Sequence, residues 1–153
     1  MTTMRRASKP EDLGCTCYKL RQAARLVSRT YDLFLAPCGI NIGQFGILAT
    51  LDVMEGEPLS KLADALQMER TTLTRNLTPL EKLGYILIGR GLDKRVRLLS
   101  LTREGKKTLT AALPKWRAAQ LSLEKQLGKT ETNMLNAMLD DTLHRLSAER
   151  EVS

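Results

Sequence analysis

Residues 59–102 decide the fold, and they read LSKLADALQMERTTLTRNLTPLEKLGYI followed by LIGRGLDKRVRLLSLT. In the first part, leucines recur at every third or fourth position, which is the period of an amphipathic helix. Two short amphipathic helices joined by a tight turn are typical of a helix-turn-helix.

The second predicted helix has two different faces. At about 100° per residue, its apolar positions lie within about 40° of one another, and they are Leu73, Leu77, Leu80 and Gly84. The opposite face carries threonines and long cations, which suit hydrogen bonding to base edges and phosphates. A solvated face would usually mix Glu with Lys, but no acid occurs from 70 to 78. The residues predicted to contact nucleic acid here are Arg70, Thr71, Thr72, Thr74, Arg75, Thr78 and Lys82.

A β-hairpin with a basic tip is predicted directly after this helix. Residues 85–88 and 96–101 are apolar or β-branched runs, and the loop between them, GRGLDKR, is rich in glycine and cations. From 69 to 97 there are seven Lys or Arg and three Asp or Glu, so +4 of the chain's net +7 lies here. Such charge supplies affinity for nucleic acid rather than sequence specificity. The hairpin residues predicted to contact it are Arg90, Asp93, Lys94 and Arg95.

The combined pattern resembles the MarR family of bacterial transcriptional regulators. It comprises LxxLAxxL, RTTLTRNLxPLExxG, DxR and LTxxG, and it extends from Leu59 to Gly105. The resemblance implies an obligate homodimer on double-stranded DNA, whose wing arginine enters the minor groove. That arginine corresponds to Arg95, and Asp93 matches the acid that braces it. The implied function is a repressor on a pseudo-palindromic operator, released by a small phenolic or lipophilic ligand or by cysteine oxidation.

Length and composition are consistent with one mainly helical domain. The chain has 153 residues, of which 42% are apolar and only 4% aromatic, so we expect a helical core rich in Leu, Ala and Met. We expect a winged helix-turn-helix region at about 41–102, flanked by dimerisation helices at about 11–36 and 103–148. No run of 18 apolar residues and no secretory signal occur, and the cysteines lack framework spacing, so we expect a cytoplasmic protein without a membrane partner.

Apolar stripes in the flanking helices predict the homodimer independently. The first has the 4-3-4-3 spacing of packed helices and consists of Leu13, Cys17, Leu20, Ala24, Val27, Tyr31 and Phe34. Two further stripes run through residues 109–127 and 135–146. A long bundle formed by two subunits would bury all three stripes. An intramolecular bundle in a monomer is the alternative.

An effector site is expected where the dimerisation helices meet the winged region. The residues predicted to line it are Arg21, Arg25, Tyr31, Phe45 and Trp116. An arginine there would pair with the carboxylate of a small aromatic acid, although each of these residues also suits an ion pair or the core. No cofactor is expected.

The cysteines do not predict a metal site. Cys17 and Cys38 would lie up to about 30 Å apart along a continuous helix, and a chain with one histidine has too few donors for zinc. Cys17 is the redox candidate because it precedes Tyr31 by fourteen residues, which is similar to the peroxide-sensing branch of the family. The second tyrosine of that arrangement would fall near Ile42. A cysteine acting as a small hydrophobe is the commoner case.

The sequence does not predict an enzyme. It has one histidine, no GxxxxGK and no GxSxG, and its acids are scattered among bases. The alternative to a regulator is a helix-turn-helix that binds protein partners without sequence-specific DNA binding. The basic wing favours DNA.

Overall fold

The computed structural model describes residues 14–150, which are mainly helical with one small antiparallel sheet. The elements in chain order are α1 (Thr16–Leu35), a 3-10 turn (Ala36–Cys38), α2 (Ile42–Val53), α3 (Leu59–Ala65), α4 (Arg70–Lys82), β1 (Ile86–Arg90), β2 (Arg97–Leu101), α5 (Arg103–Leu127) and α6 (Lys129–Arg150). This confirms the predicted fold class. One predicted stripe residue, Leu13, lies outside the described residues.

A capping box and a side-chain bond from α1 fix the start of α2. The Asn41 side chain accepts a hydrogen bond from the Gln44 backbone N–H at 2.9 Å, and Gln44 Oε1 accepts from the Asn41 N–H at 3.0 Å. The Asp32 carboxylate accepts from the Ile42 N–H at 2.7 Å. The corner between α1 and α2 is therefore held by polar hydrogen bonds.

The helix-turn-helix consists of α3, a four-residue turn and α4. Leu62 and Ala63 of α3 are buried, as are Leu73, Leu77 and Leu80 of α4, as predicted from their spacing. In the turn, Gln67 adopts a left-handed backbone with φ of 52°. The Met68 N–H donates to the Ala63 carbonyl at 2.9 Å.

A Schellman motif ends α4 and sends the chain into the hairpin. The Gly84 N–H donates to the Glu81 carbonyl, and the Tyr85 N–H donates to the Leu80 carbonyl, both at 2.9 Å. The prediction that Gly84 continues the buried face of the helix is wrong. The helix ends at Lys82, and Gly84 has a φ of +73°, which glycine adopts without a side-chain clash.

The hairpin pairs β1 with β2, from Ile86 opposite Leu101 to Arg90 opposite Arg97. The first strand extends two residues beyond the predicted 85–88, because ladder hydrogen bonds continue past the apolar run. Ile86, Leu99 and Leu101 are buried, so one face of the wing belongs to the core.

The hairpin, α4 and α5 meet in a close junction. The Thr102 hydroxyl accepts from the Gly105 N–H at 3.0 Å and donates to the Gly84 carbonyl at 2.6 Å. A Cβ added at Gly105 would lie 2.0 Å from the Tyr85 carbonyl oxygen. The start of α5 therefore packs directly on the backbone that follows α4.

Within residues 14–150, no single helix is long and apolar enough to cross a membrane. One bent pair, Thr16–Cys38 with Ile42–Val53, is long and apolar enough only when its two helices are taken together. The second half of that pair carries four buried core residues, and burial in the core accounts for its apolar character.

Candidate nucleic-acid interface

All the residues of α4 that were predicted to contact nucleic acid are exposed on its outward face. The side chains of Arg70, Thr71, Thr72, Thr74, Arg75, Thr78 and Lys82 are exposed. The leucines between them are buried in the core. The helix is thus anchored on one side and leaves a face of cations and hydroxyls free on the other.

Two of the threonines are oriented by the helix itself. The Thr74 hydroxyl donates to the Arg70 carbonyl at 2.8 Å, and the Thr78 hydroxyl donates to the Thr74 carbonyl at 3.0 Å. Because each hydroxyl proton is used in this way, the oxygen lone pairs remain available as acceptors. The face therefore offers acceptors from the threonines and donors from Arg75.

A groove of about 450 Å³ joins this helix to the wing. Arg70 and Thr74 of α4 line one side, and Arg95 and Arg97 of the hairpin line the other. Ser60, at the start of α3, also lines the groove and was not predicted. It is brought there by an isolated bridge between residues 58 and 98, and a one-residue bridge leaves no periodic signal in a sequence.

An Asx-type turn shapes the tip of the wing. The Asp93 carboxylate accepts from the Arg95 backbone N–H at 2.9 Å, and the Asp93 carbonyl accepts from the Val96 N–H at 2.9 Å. Among the described residues, the side-chain ion pairs are Lys106–Glu55 and Arg145–Asp141. Asp93 therefore orders the backbone beside Arg95. It does not pair with the Arg95 guanidinium, which is the role that the resemblance implied.

The cations of the wing crowd one surface. Arg90, Lys94, Arg95 and Arg97 line a second open groove of about 520 Å³, which also contains one acid, Glu81. Arg90 and Arg97 are direct cross-strand partners, and like charges in this position repel. An anion between them would relieve that repulsion, and a phosphate of nucleic acid supplies one.

Of the five residues predicted to form an effector site, only Tyr31 lines the cavity between α1, α5 and α6. Phe45 stacks on Trp116 with ring centroids 5.8 Å apart. Arg25 lines a shallow surface groove, and Arg21 is exposed. At about 100° per residue, Arg21 and Arg25 are separated from Tyr31 by about 80° and 120° around α1, and neither lines the Tyr31 cavity. The prediction that they line one pocket with Tyr31 is therefore wrong.

The Tyr31 cavity has a volume of about 220 Å³ and a hydrogen-bonded polar end. The Tyr31 hydroxyl donates to Gln120 Oε1, and Gln120 Nε2 donates to the Glu124 carboxylate at 3.0 Å. Burial raises the pKa of the Tyr31 phenol, and the nearby Glu124 carboxylate raises it further. Gln120 lies within the apolar stripe predicted at 109–127, and nothing in the sequence indicated its bond to Tyr31. The two residues are 89 positions apart in the chain.

Cys17 is an exposed free thiol. It lies on the same helix as Tyr31, about 21 Å away along the axis, and the Tyr31 hydroxyl is bonded to Gln120 instead. Within one chain, that tyrosine does not reach the thiol. The described part of the chain contains no cluster of three or more His, Cys, Asp or Glu that could hold a metal.

The chain is similar in sequence to known transcriptional regulators. The family model described as "MarR family" matches residues 40–87. An HTH-type transcriptional regulator of Bacillus cereus is 32% identical over 122 residues, which cover 78% of this chain and 80% of that protein.

Two solved structures are similar along most of their length. The Mycobacterium tuberculosis transcriptional regulator MosR in complex with DNA is 33% identical, with a TM-score of 0.72 and coverage of 86% of this chain and 98% of that one. The transcriptional repressor CouR bound to a 23-mer DNA duplex is 26% identical, with a TM-score of 0.76 and coverage of 90% and 99%. CouR has also been solved bound to p-coumaroyl-CoA. These relatives are regulators, not enzymes.

Proposed function

The chain belongs to the MarR family of transcriptional regulators, and we propose that it is a homodimeric repressor that binds a pseudo-palindromic operator. A small aromatic or lipophilic effector, or oxidation at Cys17, would release it. The proposed division is a DNA-binding region at about 41–102 and dimerisation helices at about 11–36 and 103–148. We place this activity in the cytoplasm, together with its DNA.

The observation that carries the proposal is the shared groove between α4 and the wing. Arg70 and Thr74 come from the recognition helix, while Arg95 and Arg97 come from the hairpin. A helix in the major groove and a wing over the adjacent backbone would use both sets at once. The facing pair Arg90 and Arg97 supports a phosphate contact at the edge of this surface.

Exposed apolar side chains support the dimer. Leu26 and Leu33 of α1 and Met138 and Leu146 of α6 are all more than half exposed in the single chain. Large apolar side chains left exposed on two helices of one chain favour an interaction site there. A two-fold axis through these helices would present two recognition helices to half-sites about 34 Å apart.

Selection of bound fragments from random duplex DNA, followed by anisotropy on the selected operator, tests the proposal. Arg75→Ala should weaken operator binding by about 1–3 kcal/mol and relax the preference at one base position. Lys82→Ala is the matched control at the end of the same helix. It should weaken operator and random DNA alike and reduce the salt slope.

Three results would contradict parts of this proposal. An equal loss on operator and random DNA for Arg75→Ala would remove its base-contacting role. Protection of a single, unrepeated half-site by a monomer would remove the dimer. Failure to bind heparin or any duplex would favour the alternative, a protein-interaction module.

A further inference from the structure

We infer that Thr78 is a specificity-determining residue, whose side chain selects an A·T base pair in each half-site of the operator. This role rests on the proposed function, since Thr78 meets base edges only if α4 lies in the major groove. It is a contact of a different kind from that of Arg75, because Thr78 offers an acceptor and a methyl group instead of donors.

Thr78 lies on the outward face of α4 and is exposed. At about 100° per residue, it is about 140° around the helix from the buried Leu73 and about 60° from Arg75. It lines neither the groove between α4 and the wing nor the groove of the wing cations. The side chain is therefore on the same side of the helix as Arg75.

The proton of the Thr78 hydroxyl is used inside the helix. Thr78 Oγ1 donates to the Thr74 carbonyl at 3.0 Å, and no group in the described part of the chain donates to this oxygen. A hydroxyl has one proton and two lone pairs. Oγ1 can therefore accept a hydrogen bond from DNA but has no proton left to donate.

An oxygen that only accepts selects among the groups of DNA. Phosphate oxygens are acceptors themselves, so they cannot bond to Thr78 Oγ1. In the major groove, the donors are the amino groups of adenine and cytosine. Thr78 therefore matches a base edge, whereas the phosphates suit Lys82, whose ammonium group only donates.

The Cγ2 methyl group of Thr78 distinguishes between the two bases that carry an amino group. An A·T pair presents the adenine amino group and the thymine methyl in the same groove, whereas a C·G pair presents an amino group without a methyl. A threonine methyl packs on the thymine methyl. Only the A·T pair therefore satisfies both parts of the side chain.

The internal hydrogen bond alone does not make a threonine a base-contacting residue. Thr110 of α5 is exposed and donates to the Lys106 carbonyl at 2.8 Å in the same way. Thr74 of α4 also does so, but it lines the groove that contains Arg95 and Arg97, which are donors. Thr78 combines the internal bond with the outward face of α4, and this combination carries the proposed role.

Two variants remove the two parts of the side chain separately. Thr78→Val removes the acceptor and keeps a methyl, whereas Thr78→Ser keeps the acceptor and removes the methyl. Selection from random duplex DNA with the unmodified protein and with Thr78→Val should differ at one position of each half-site. The unmodified protein should prefer A·T there, and Thr78→Val should accept every base pair.

Modified bases at that position complete the test. Deoxyuridine in place of thymine removes only the methyl, and it should weaken the unmodified protein about threefold but not Thr78→Ser. Purine in place of adenine removes the amino group, and it should weaken the unmodified protein about three- to tenfold but not Thr78→Val. Both proteins bind the same duplex, so a change in its own stability cancels. Thr110→Val, which removes an equivalent hydroxyl on α5, should respond like the unmodified protein.

Four results would contradict the role of Thr78. The first is a selection in which Thr78→Val prefers the same bases as the unmodified protein. The second is an equal response of all the proteins to both modified bases. The third is an equal loss by Thr78→Val on operator and random DNA, which would assign Thr78 to the backbone. Each of these leaves the proposed function intact, whereas the fourth, a selection that yields no preferred sequence at all, would contradict both.

Discussion

Large apolar side chains are buried in the winged region, but many of those on the flanking helices are exposed. Leu48, Leu73 and Leu80 of the winged region are completely buried, whereas Leu33 of α1 is 77% exposed and Met138 of α6 is 69% exposed. The winged region thus closes its core within one chain. The flanking helices leave apolar surface that a single chain does not cover, which is the physical basis for the proposed dimer.

The largest effect is expected at the junction that connects the two regions. Gly105→Ala would place a Cβ 2.0 Å from the Tyr85 carbonyl oxygen, so the backbone of α5 or of the wing must shift. We expect the free energy of unfolding to fall by about 3 kcal/mol or more. Urea denaturation at one protein concentration measures it.

Gly46→Ala is the matched control, because no heavy atom lies within 4 Å of the added Cβ. Gly46 is inside α2, where alanine is favoured by about 0.5–1 kcal/mol. An unchanged urea midpoint for Gly105→Ala would show that the backbone at the junction shifts without lowering the free energy of unfolding.

The second prediction tests whether the exposed apolar surface joins two chains. Leu143 and Leu146 of α6 are 55% and 60% exposed, and their replacement by Glu should raise the dimer dissociation constant by about 100-fold or more. Sedimentation velocity measures this, and far-UV circular dichroism checks that the helices persist. Leu92→Glu, at a fully exposed leucine on the wing loop, should leave the dimer unchanged. If the α6 variant and Leu92→Glu had the same dimer dissociation constant, a dimer through α6 would be contradicted.

The third prediction concerns the part of the winged region that faces outward. Arg95→Ala should weaken operator binding by about 1–2 kcal/mol and abolish the advantage of A·T-rich flanks, where the minor groove is narrow. Asp93→Ala should give a milder form, since it removes the acceptor of the Arg95 N–H. Asp93→Asn keeps an acceptor and should be close to the unmodified protein.

Anisotropy on operators with A·T or G·C flanks, at one salt concentration, distinguishes these cases. A full flank preference in Arg95→Ala would mean that the wing does not enter the minor groove. A large defect in Asp93→Asn would instead restore a direct role for the carboxylate charge.

The smallest effect is a pH dependence in the flanking helices. Burial and Glu124 raise the pKa of Tyr31 in the folded state. Above about pH 10, the phenol ionises in the unfolded chain first, so the folded state binds more protons and its stability falls as the pH rises. Tyr31→Phe should flatten this alkaline decline in urea titrations between pH 9 and 11. An equally steep decline in Tyr31→Phe would assign it to other groups.

The winged region was predictable in detail because its signals are local. The leucine spacing of α3 and α4 and the basic loop between the two strands both depend on residues near one another in the chain. The end of α4 was misplaced, because a glycine at the right angular position also fits the left-handed residue of a Schellman motif. The sequence alone does not distinguish these two backbones.

The effector site was predicted poorly because it depends on residues distant in sequence. Phe45 and Trp116 stack on each other. Like Arg21 and Arg25, they do not line the cavity beside Tyr31. Helical periodicity predicts which residues share a face. It does not predict which helix covers that face.

The sequence by itself determined the helix-turn-helix, the basic wing and the excess of apolar surface on the flanking helices, because periodicity, capping and charge act over a few residues. Only the tertiary structure decided that Asp93 bonds to a backbone N–H, that Arg90 faces Arg97, and that Tyr31 meets Gln120. Those contacts follow from strand register and helix packing, in which small rotations choose between neighbours of similar chemistry.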